Sequence, residues 1–236
     1  MLKQQLVPDK FKVISGSVLK LIAMLTMLID HVASHLMTND LVLFSVGSRA
    51  VPLRGVLIMV GRVAFPLFCF LLTEGFLHTR NRLRYGISLL LFALISEIPW
   101  DLEHYNSVFN MKTQNVFFTL LLGYLGICAI ELLKQRPVVQ LASLLALAVT
   151  AMGLKADYGL WGYIFVILLY VLRDHETLRV LTAFLVSRPW FTMAAFIPIT
   201  LYNGKRGFIK GPVLKYAFYI FYPAHILVIY LFKFVI

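Results

Sequence analysis

The sequence predicts an all-α fold, a polytopic bundle of transmembrane helices, and three observations carry that expectation. Hydrophobic residues make up 60% of the 236 positions and charged residues 14%, with a mean hydropathy of +0.84. A soluble domain holds roughly 45–50% apolar and about 25% charged residues. The apolar residues also arrive in long blocks, and a helix needs roughly 20 mainly apolar residues to cross a bilayer core. Finally, the alternating segments of about ten residues that would mark a closed β-barrel are absent.

Blocks of spanning character run at 18–37, 55–77, 84–100, 115–133, 137–154, 158–172, 178–202 and 213–235. They predict about eight spans, with seven to ten compatible with the pattern, some of them kinked or broken. The 158–172 block is short, and Arg188-Pro189 interrupts the 178–202 block. Residues 1–17 mix polar and apolar side chains and read as a cytoplasmic or interfacial segment, leaving 18–236 as a single membrane domain. No internal repeat, low-complexity tract or soluble insertion divides it. The first block is too long for a cleaved signal peptide, and no small-residue cleavage site follows it. Cys69 and Cys128 fall within predicted spans without metal-ligand spacing, so they read as inert buried thiols.

A formal net charge of +11 is compatible with nucleic-acid binding, but the basic residues are scattered through short loops beside apolar blocks. Topogenesis explains that placement, and nucleic acid is not expected as a partner. If eight spans alternate, Lys10, Arg80, Arg82, Arg84, Lys134 and Arg173 share the side of the termini. Arg49, Arg54, Lys112 and the Lys205–Lys210 group lie opposite. The bias favours both termini in the cytoplasm.

Ionisable groups inside a hydrocarbon core cost several kcal/mol unless paired or hydrated, which makes each one a functional candidate. The first span carries Lys20, Asp30, His31 and His35. Eleven residues make about three turns plus roughly 20°, so Lys20 and His31 share a face, about 16 Å apart along the axis. His35 continues the stripe, while Asp30 lies about 80° to one side. A histidine at this depth can act as a general base, because its unperturbed pKa lies near neutrality. The alternative is a polar helix–helix contact. No third ligand accompanies His31 and His35, so no metal is expected.

The second span holds Gly61-Arg62, Pro66 and Glu74, and the third ends Ser96-Glu97-Ile98-Pro99-Trp100-Asp101. Arg62 needs a carboxylate, and Glu74, Glu97 and Asp101 are the acids near it in sequence. Pro66 and Pro99 each free a backbone carbonyl and favour a kink, which suits a cavity. Asp157 either lines that cavity or caps the sixth span. Tyr202-Asn203-Gly204-Lys205-Arg206-Gly207, followed by Lys210, is a basic turn able to hold phosphates. It is not a P-loop, since the first glycine and the Ser/Thr after Lys are missing. The last span sets Tyr222 and His225 in an aromatic cluster near mid-membrane.

The segments MLIDHV (27–32), GRVAFPLFCFLLTEGF (61–76), LLFALISEIPWDL (90–102), NVFFTLLLGYLG (115–126), ADYGLWG (156–162), LYNGKRG (201–207) and KYAFYIFYPAHILVIYL (215–231) together resemble the TraX family. The resemblance runs in order over nearly the whole chain. That family is named for a conjugation protein that acetylates the N-terminus of F-type pilin. It is similar to the acyltransferase type 3 superfamily, whose first span carries a basic residue, ten intervening residues and a histidine. Lys20 and His31 have that spacing.

The resemblance implies an acyltransferase-like membrane domain in the bacterial inner membrane that carries acetyl groups from cytoplasmic acetyl-CoA to an outer-face acceptor. The acceptor would be a pilin-like protein or a surface glycan, presenting an amine or a hydroxyl. On this reading His31 is the general base, supported by Asp30 and Lys20. Lys205, Arg206, Lys210 and Arg62 would hold the CoA phosphates. Glu74, Glu97, Asp101, Asp157, Tyr222 and His225 would line the acceptor path. One conflict is built in: the alternating count puts the Lys205 turn outside, whereas a CoA site faces the cytoplasm. Either 178–202 does not cross as one span, or the phosphates use Lys20, Arg80, Arg82 and Arg84. Two other classes fit the same residues, a small-solute transporter and a non-catalytic assembly factor for a surface structure. The lack of an inverted repeat counts against the transporter.

Overall fold

The computed structural model of the chain describes residues 6–47, 49–186 and 190–234. The helices sort into two compact units. One comprises Val7–Phe68 with the described residues 190–234, the other Leu6 with Cys69–Val186.

In the first unit, a 3-10 turn at Asp9–Phe11 precedes α1 (Gly16–Leu36), whose start is fixed by Ser15. The Ser15 Oγ accepts a hydrogen bond from the Val18 amide, satisfying one of the donors that every helix start leaves without a partner. After α1 the chain makes an antiparallel hairpin, β1 (Val42–Val46) and β2 (Arg49–Pro52). Gly47 takes the left-handed conformation in its turn, at φ +61°. The sequence reading did not anticipate this hairpin. Pro52 then opens α2 (Leu53–Gly61), and Arg54 reaches back to α1. Its Nε and Nη2 donate to the carbonyls of Ala33 and Ser34 at 3.0 and 3.1 Å, covering groups that the end of α1 leaves open.

Helix α3 (Ala64–His78) continues α2 after a break at Arg62–Val63. Pro66 explains the break, since a proline ring collides with the carbonyl four residues earlier, here that of Arg62. Leu53–His78 together make a 26-residue apolar stretch of mean hydropathy 2.2. The unit closes with a 3-10 turn (Trp190–Ala195), the short α9 (Phe196–Thr200), a loop through residues 201–211, and α10 (Pro212–Phe234).

The second unit holds the rest of α3 with α4 (Arg82–Tyr105), α5 (Val116–Leu132), α6 (Pro137–Gly153), α7 (Gly159–Val171) and α8 (Glu176–Val186). Side-chain carbonyls of Asn81 and Asn115 cap α4 and α5 by accepting from the amides of Arg84 and Phe117. Leu122, Ala151 and Tyr163 form a core where α5, α6 and α7 meet. Gly123 and Gly126 let α7 approach α5: an added Cβ would lie 2.7 Å from Val166 Cγ1 and 2.5 Å from Ile167 Cδ1.

The helix boundaries follow the predicted blocks closely except at two places. Helix α4 runs through Pro99 without a break. The 178–202 block is not one span, because α8 ends at Val186 and α9 is only 5 residues long. Arg188-Pro189, expected to interrupt that block, lies outside the described residues. Among the described residues, Gly16–Leu36, Leu53–His78, Arg82–Tyr105 and Tyr216–Phe234 are long and apolar enough to cross a membrane. Val116–Leu132, Pro137–Gly153 and Gly159–Val171 are shorter apolar helices. The chain is an all-α membrane bundle.

Candidate functional site

The Val7–Phe68 and 190–234 unit gathers His31, Asp30, Lys20, Arg62, Tyr222, His225 and the Lys205 turn around α1. Three contacts set its geometry. First, residues 14–17 and 201–209 are stitched together. Ile14 donates to the Leu201 carbonyl and Asn203 to the Ile14 carbonyl, at 3.0 and 2.9 Å. Gly16 and Ser17 donate to the carbonyls of Lys205 and Arg206, at 2.8 and 2.9 Å. The Ser17 Oγ donates to the Arg206 carbonyl and accepts from the Ile209 amide, both at 2.8 Å. These bonds occupy the N–H groups of the first turn of α1. The exposed side chains of Lys205, Arg206 and Lys210 are thereby held at that helix end. The expectation that this turn lies opposite the start of α1 is therefore corrected; it assumed that 178–202 crosses as a single span.

Second, α1 and α10 run parallel. Lys20 Nζ lies 5.8 Å from the Phe218 ring centroid, while eleven residues further along α1 the His31 ring faces Tyr222 and His225. Both helices advance in the same direction, so Phe234 lies towards the far end of α1 from Gly16. The even count that set both termini on one face does not match this packing.

Third, Gly61 sits directly against Asp30. A Cβ at Gly61 would lie 2.2 Å from the Asp30 Cβ and 2.6 Å from its Cα, so only glycine fits this crossing of α1 and α2. The close approach brings Arg62 Nε to 3.6 Å from Asp30 Oδ1. Asp30 is 8% exposed, and a buried carboxylate needs such a partner. The acids near Arg62 in sequence were expected to pair with it; its carboxylate comes instead from α1. Asp30 turns towards Arg62, and the ring that meets His31 is that of His225.

His31 Nδ1 and His225 Nε2 are 2.6 Å apart. The ring centroids are separated by 4.9 Å and the planes by 8°. A ring nitrogen lies only one ring radius from its centroid. Centroids that far apart therefore bring two nitrogens this close only when both lie on the line between the centroids. The imidazoles meet edge to edge in a shared plane, the geometry of an N–H···N hydrogen bond. His225 is 6% exposed and Tyr222 4%. The His35 ring lies edge-on to that of His31 at 6.1 Å.

The remaining predicted residues belong to the second unit. His78 Nδ1 donates to the Glu74 carbonyl at 2.9 Å and lies 3.7 Å from the Glu74 carboxylate. Glu97 Oε1 accepts from both the amide and the side-chain NH₂ of Asn115, latching α4 to the start of α5. Asp101 Oδ2 accepts from the Asn110 amide at 2.6 Å. Asp157 does not cap α7, where Tyr158 occupies the cap position with φ 66°. The Asp157 carbonyl instead accepts from the Thr119 hydroxyl.

Three contributors escaped the sequence reading. Gly61, next to Arg62, carried a usable signal, since a small residue beside a buried charge marks a close helix approach. Ser17 acts through bonds that span most of the chain and left no local pattern, while the Phe221 carbonyl meets the His225 side chain one turn later on α10.

No solved structure matches the chain. Among curated proteins it is similar to the probable fimbrial assembly protein FimC, serogroup H1, of Dichelobacter nodosus. The two are 33% identical over 238 residues, covering 88% of this chain and 91% of that protein. The family model described as TraX protein matches residues 15–233. With that match over nearly its full length, the chain belongs to the TraX family.

Proposed function

We propose that this protein is an integral membrane acetyltransferase, passing an acetyl group from acetyl-CoA to an amine or hydroxyl at the opposite face of the membrane. One observation carries the reading: a single helix links the two groups such a transfer needs. The cationic Lys205–Lys210 turn is hydrogen-bonded to the start of α1. His31 lies on the same helix, about 21 Å further along the axis from Ser17. CoA is a molecule with phosphates at one end and a thioester at the other. Held by its phosphates at the start of α1, it extends its acyl end towards His31. The same reading puts the start of α1 at the cytoplasmic face of a bacterial inner membrane. Moving Lys205, Arg206 and Lys210 to that face strengthens the positive-inside bias.

In the chemical step, the acceptor nitrogen or oxygen attacks the thioester carbonyl carbon while His31 takes its proton. The C–S bond then breaks, and the thiolate receives that proton from the imidazolium, leaving acetylated acceptor and free CoA. The relative's name, a fimbrial assembly protein, supports a pilin-like surface protein as the acceptor.

The test is incubation of purified protein with radiolabelled acetyl-CoA and a pilin-like acceptor. The reading predicts label on the acceptor, lost in His31→Ala. Assembly of the surface structure that persists in His31→Ala, with no label transferred by the parent protein, would make the chain a non-catalytic assembly factor. Solute flux in proteoliposomes without CoA binding would make it a transporter.

A further inference from the structure

We infer that His225 is a positioning residue that locks the tautomer of His31, leaving the Nε2 of His31 as its basic nitrogen. The inference rests on the acetyltransferase reading for its consequence, but its geometry is independent of that reading.

The hydrogen-bond donors fix the tautomers of both rings. His225 Nδ1 lies 2.7 Å from the Phe221 carbonyl oxygen, one turn earlier on α10. A carbonyl oxygen only accepts, so this nitrogen carries the hydrogen. Neutral imidazole carries one N–H, which leaves the Nε2 of His225 with a lone pair. That lone pair faces His31 Nδ1 at 2.6 Å, in the plane of both rings. Two bare nitrogens at that distance would repel, so His31 Nδ1 carries a hydrogen and donates it. His31 is then fixed as the Nδ1–H tautomer, with its Nε2 lone pair on the far side of the ring.

A proton taken up at Nε2 makes His31 an imidazolium whose Nδ1–H already has an acceptor. The charge is therefore stabilised without any proton moving to His225. A carboxylate commonly orients a catalytic imidazole, but here the adjacent Asp30 is engaged by Arg62, and a neutral ring takes that place. Proline at position 223, two residues before His225, supplies no N–H to the Tyr219 carbonyl, and α10 runs on through it.

Two variants of the full-length protein and one spectroscopic measurement test this. In His225→Gln, the side-chain carbonyl can still accept from His31 Nδ1. In His225→Phe, it cannot. With general-base effects typically at 10²–10⁴-fold, His225→Phe is expected to lower kcat by about 100-fold with KM for acetyl-CoA unchanged. His225→Gln is expected to recover most of that loss. A structural role alone would not be rescued by Gln while Phe, which fills the space, fails.

The measurement independent of activity is ¹⁵N NMR of histidine-labelled protein in detergent, with the His31 and His225 signals assigned from His31→Ala and His225→Ala. Parent protein should show His31 protonated at Nδ1 and bare at Nε2, and His225 protonated at Nδ1. An Nε2–H tautomer at His31, or equal kcat in the Phe and parent proteins, overturns the inference. If the tautomers are as stated and no acetyl transfer is found, the lock stands and the acetyltransferase reading falls.

Discussion

Asp30 Oδ1 and Arg62 Nε are 3.6 Å apart, across a helix crossing that leaves no room for a side chain at position 61. The pair therefore depends on packing. Asp30 is nearly enclosed, whereas the Arg62 side chain keeps 37% of its exposure, so solvent screens part of the attraction. Removing Arg62 takes the guanidinium from a nearly enclosed carboxylate, and neutralising Asp30 removes that carboxylate from the Arg62 side chain. Asp30→Asn and Arg62→Met are each expected to destabilise the protein by about 1–2 kcal/mol, and the double variant by less than the sum. Thermal unfolding of the four proteins in one detergent supplies the cycle; additive losses would show that the two residues do not interact.

Gly61 and Gly126 offer a controlled comparison. An alanine at 61 meets the Cβ and backbone of Asp30, which cannot swing aside. An alanine at 126 meets the Cδ1 of Ile167 at 2.5 Å, the end of a flexible side chain, and the Tyr163 ring only at 3.1 Å. Overpacking of this kind costs about 1–3 kcal/mol. Gly61→Ala is expected at or above the top of that range and Gly126→Ala near the bottom, read as loss of melting temperature.

Ser17 connects the basic turn to α1 through two hydrogen bonds of its hydroxyl. Ser17→Ala is expected to loosen the turn and raise KM for acetyl-CoA several-fold, with kcat little changed. Lys205→Gln combined with Arg206→Gln should raise KM by about 10-fold and flatten its salt dependence, since under the proposed function these charges would bind the donor without acting on the reacting atoms. An unchanged KM would remove the turn from the donor site.

The parallel packing of α1 and α10 makes a topological prediction. In a background of Cys69→Ala and Cys128→Ala, single cysteines at positions 10 and 205 should label with an impermeant reagent from one face. A cysteine at 234 should label only from the other. Labelling of 205 and 234 from the same face would contradict the arrangement.

Much of the fold was legible in the sequence because helix boundaries depend on local chemistry. Ser15, Asn81 and Asn115 cap helices at the edges of apolar blocks, and Pro66 breaks one. The site was legible only in part. Lys20 and His31 lie on one helix, so geometry alone put them on one face. The partners of that helix come from far away in the chain: His225 is 194 residues from His31, and Arg206 is 189 residues from Ser17. Those contacts depend on whether each block crosses the membrane, and the alternating count failed at 178–202. The β1–β2 hairpin was missed for a different reason. Val42-Leu43-Phe44 is apolar at successive positions, without the alternation that identifies a half-buried strand.

Acetyl transfer itself is the decisive measurement of the proposed function. Parent protein and His31→Ala, purified together and matched for melting temperature, are incubated with [¹⁴C]acetyl-CoA and a pilin-like acceptor, and the labelled acceptor is counted. If His31 is the general base, label appears with the parent and falls by at least about 100-fold in His31→Ala. Equal labelling by the two proteins, or none with the parent while acetyl-CoA remains bound, would contradict it.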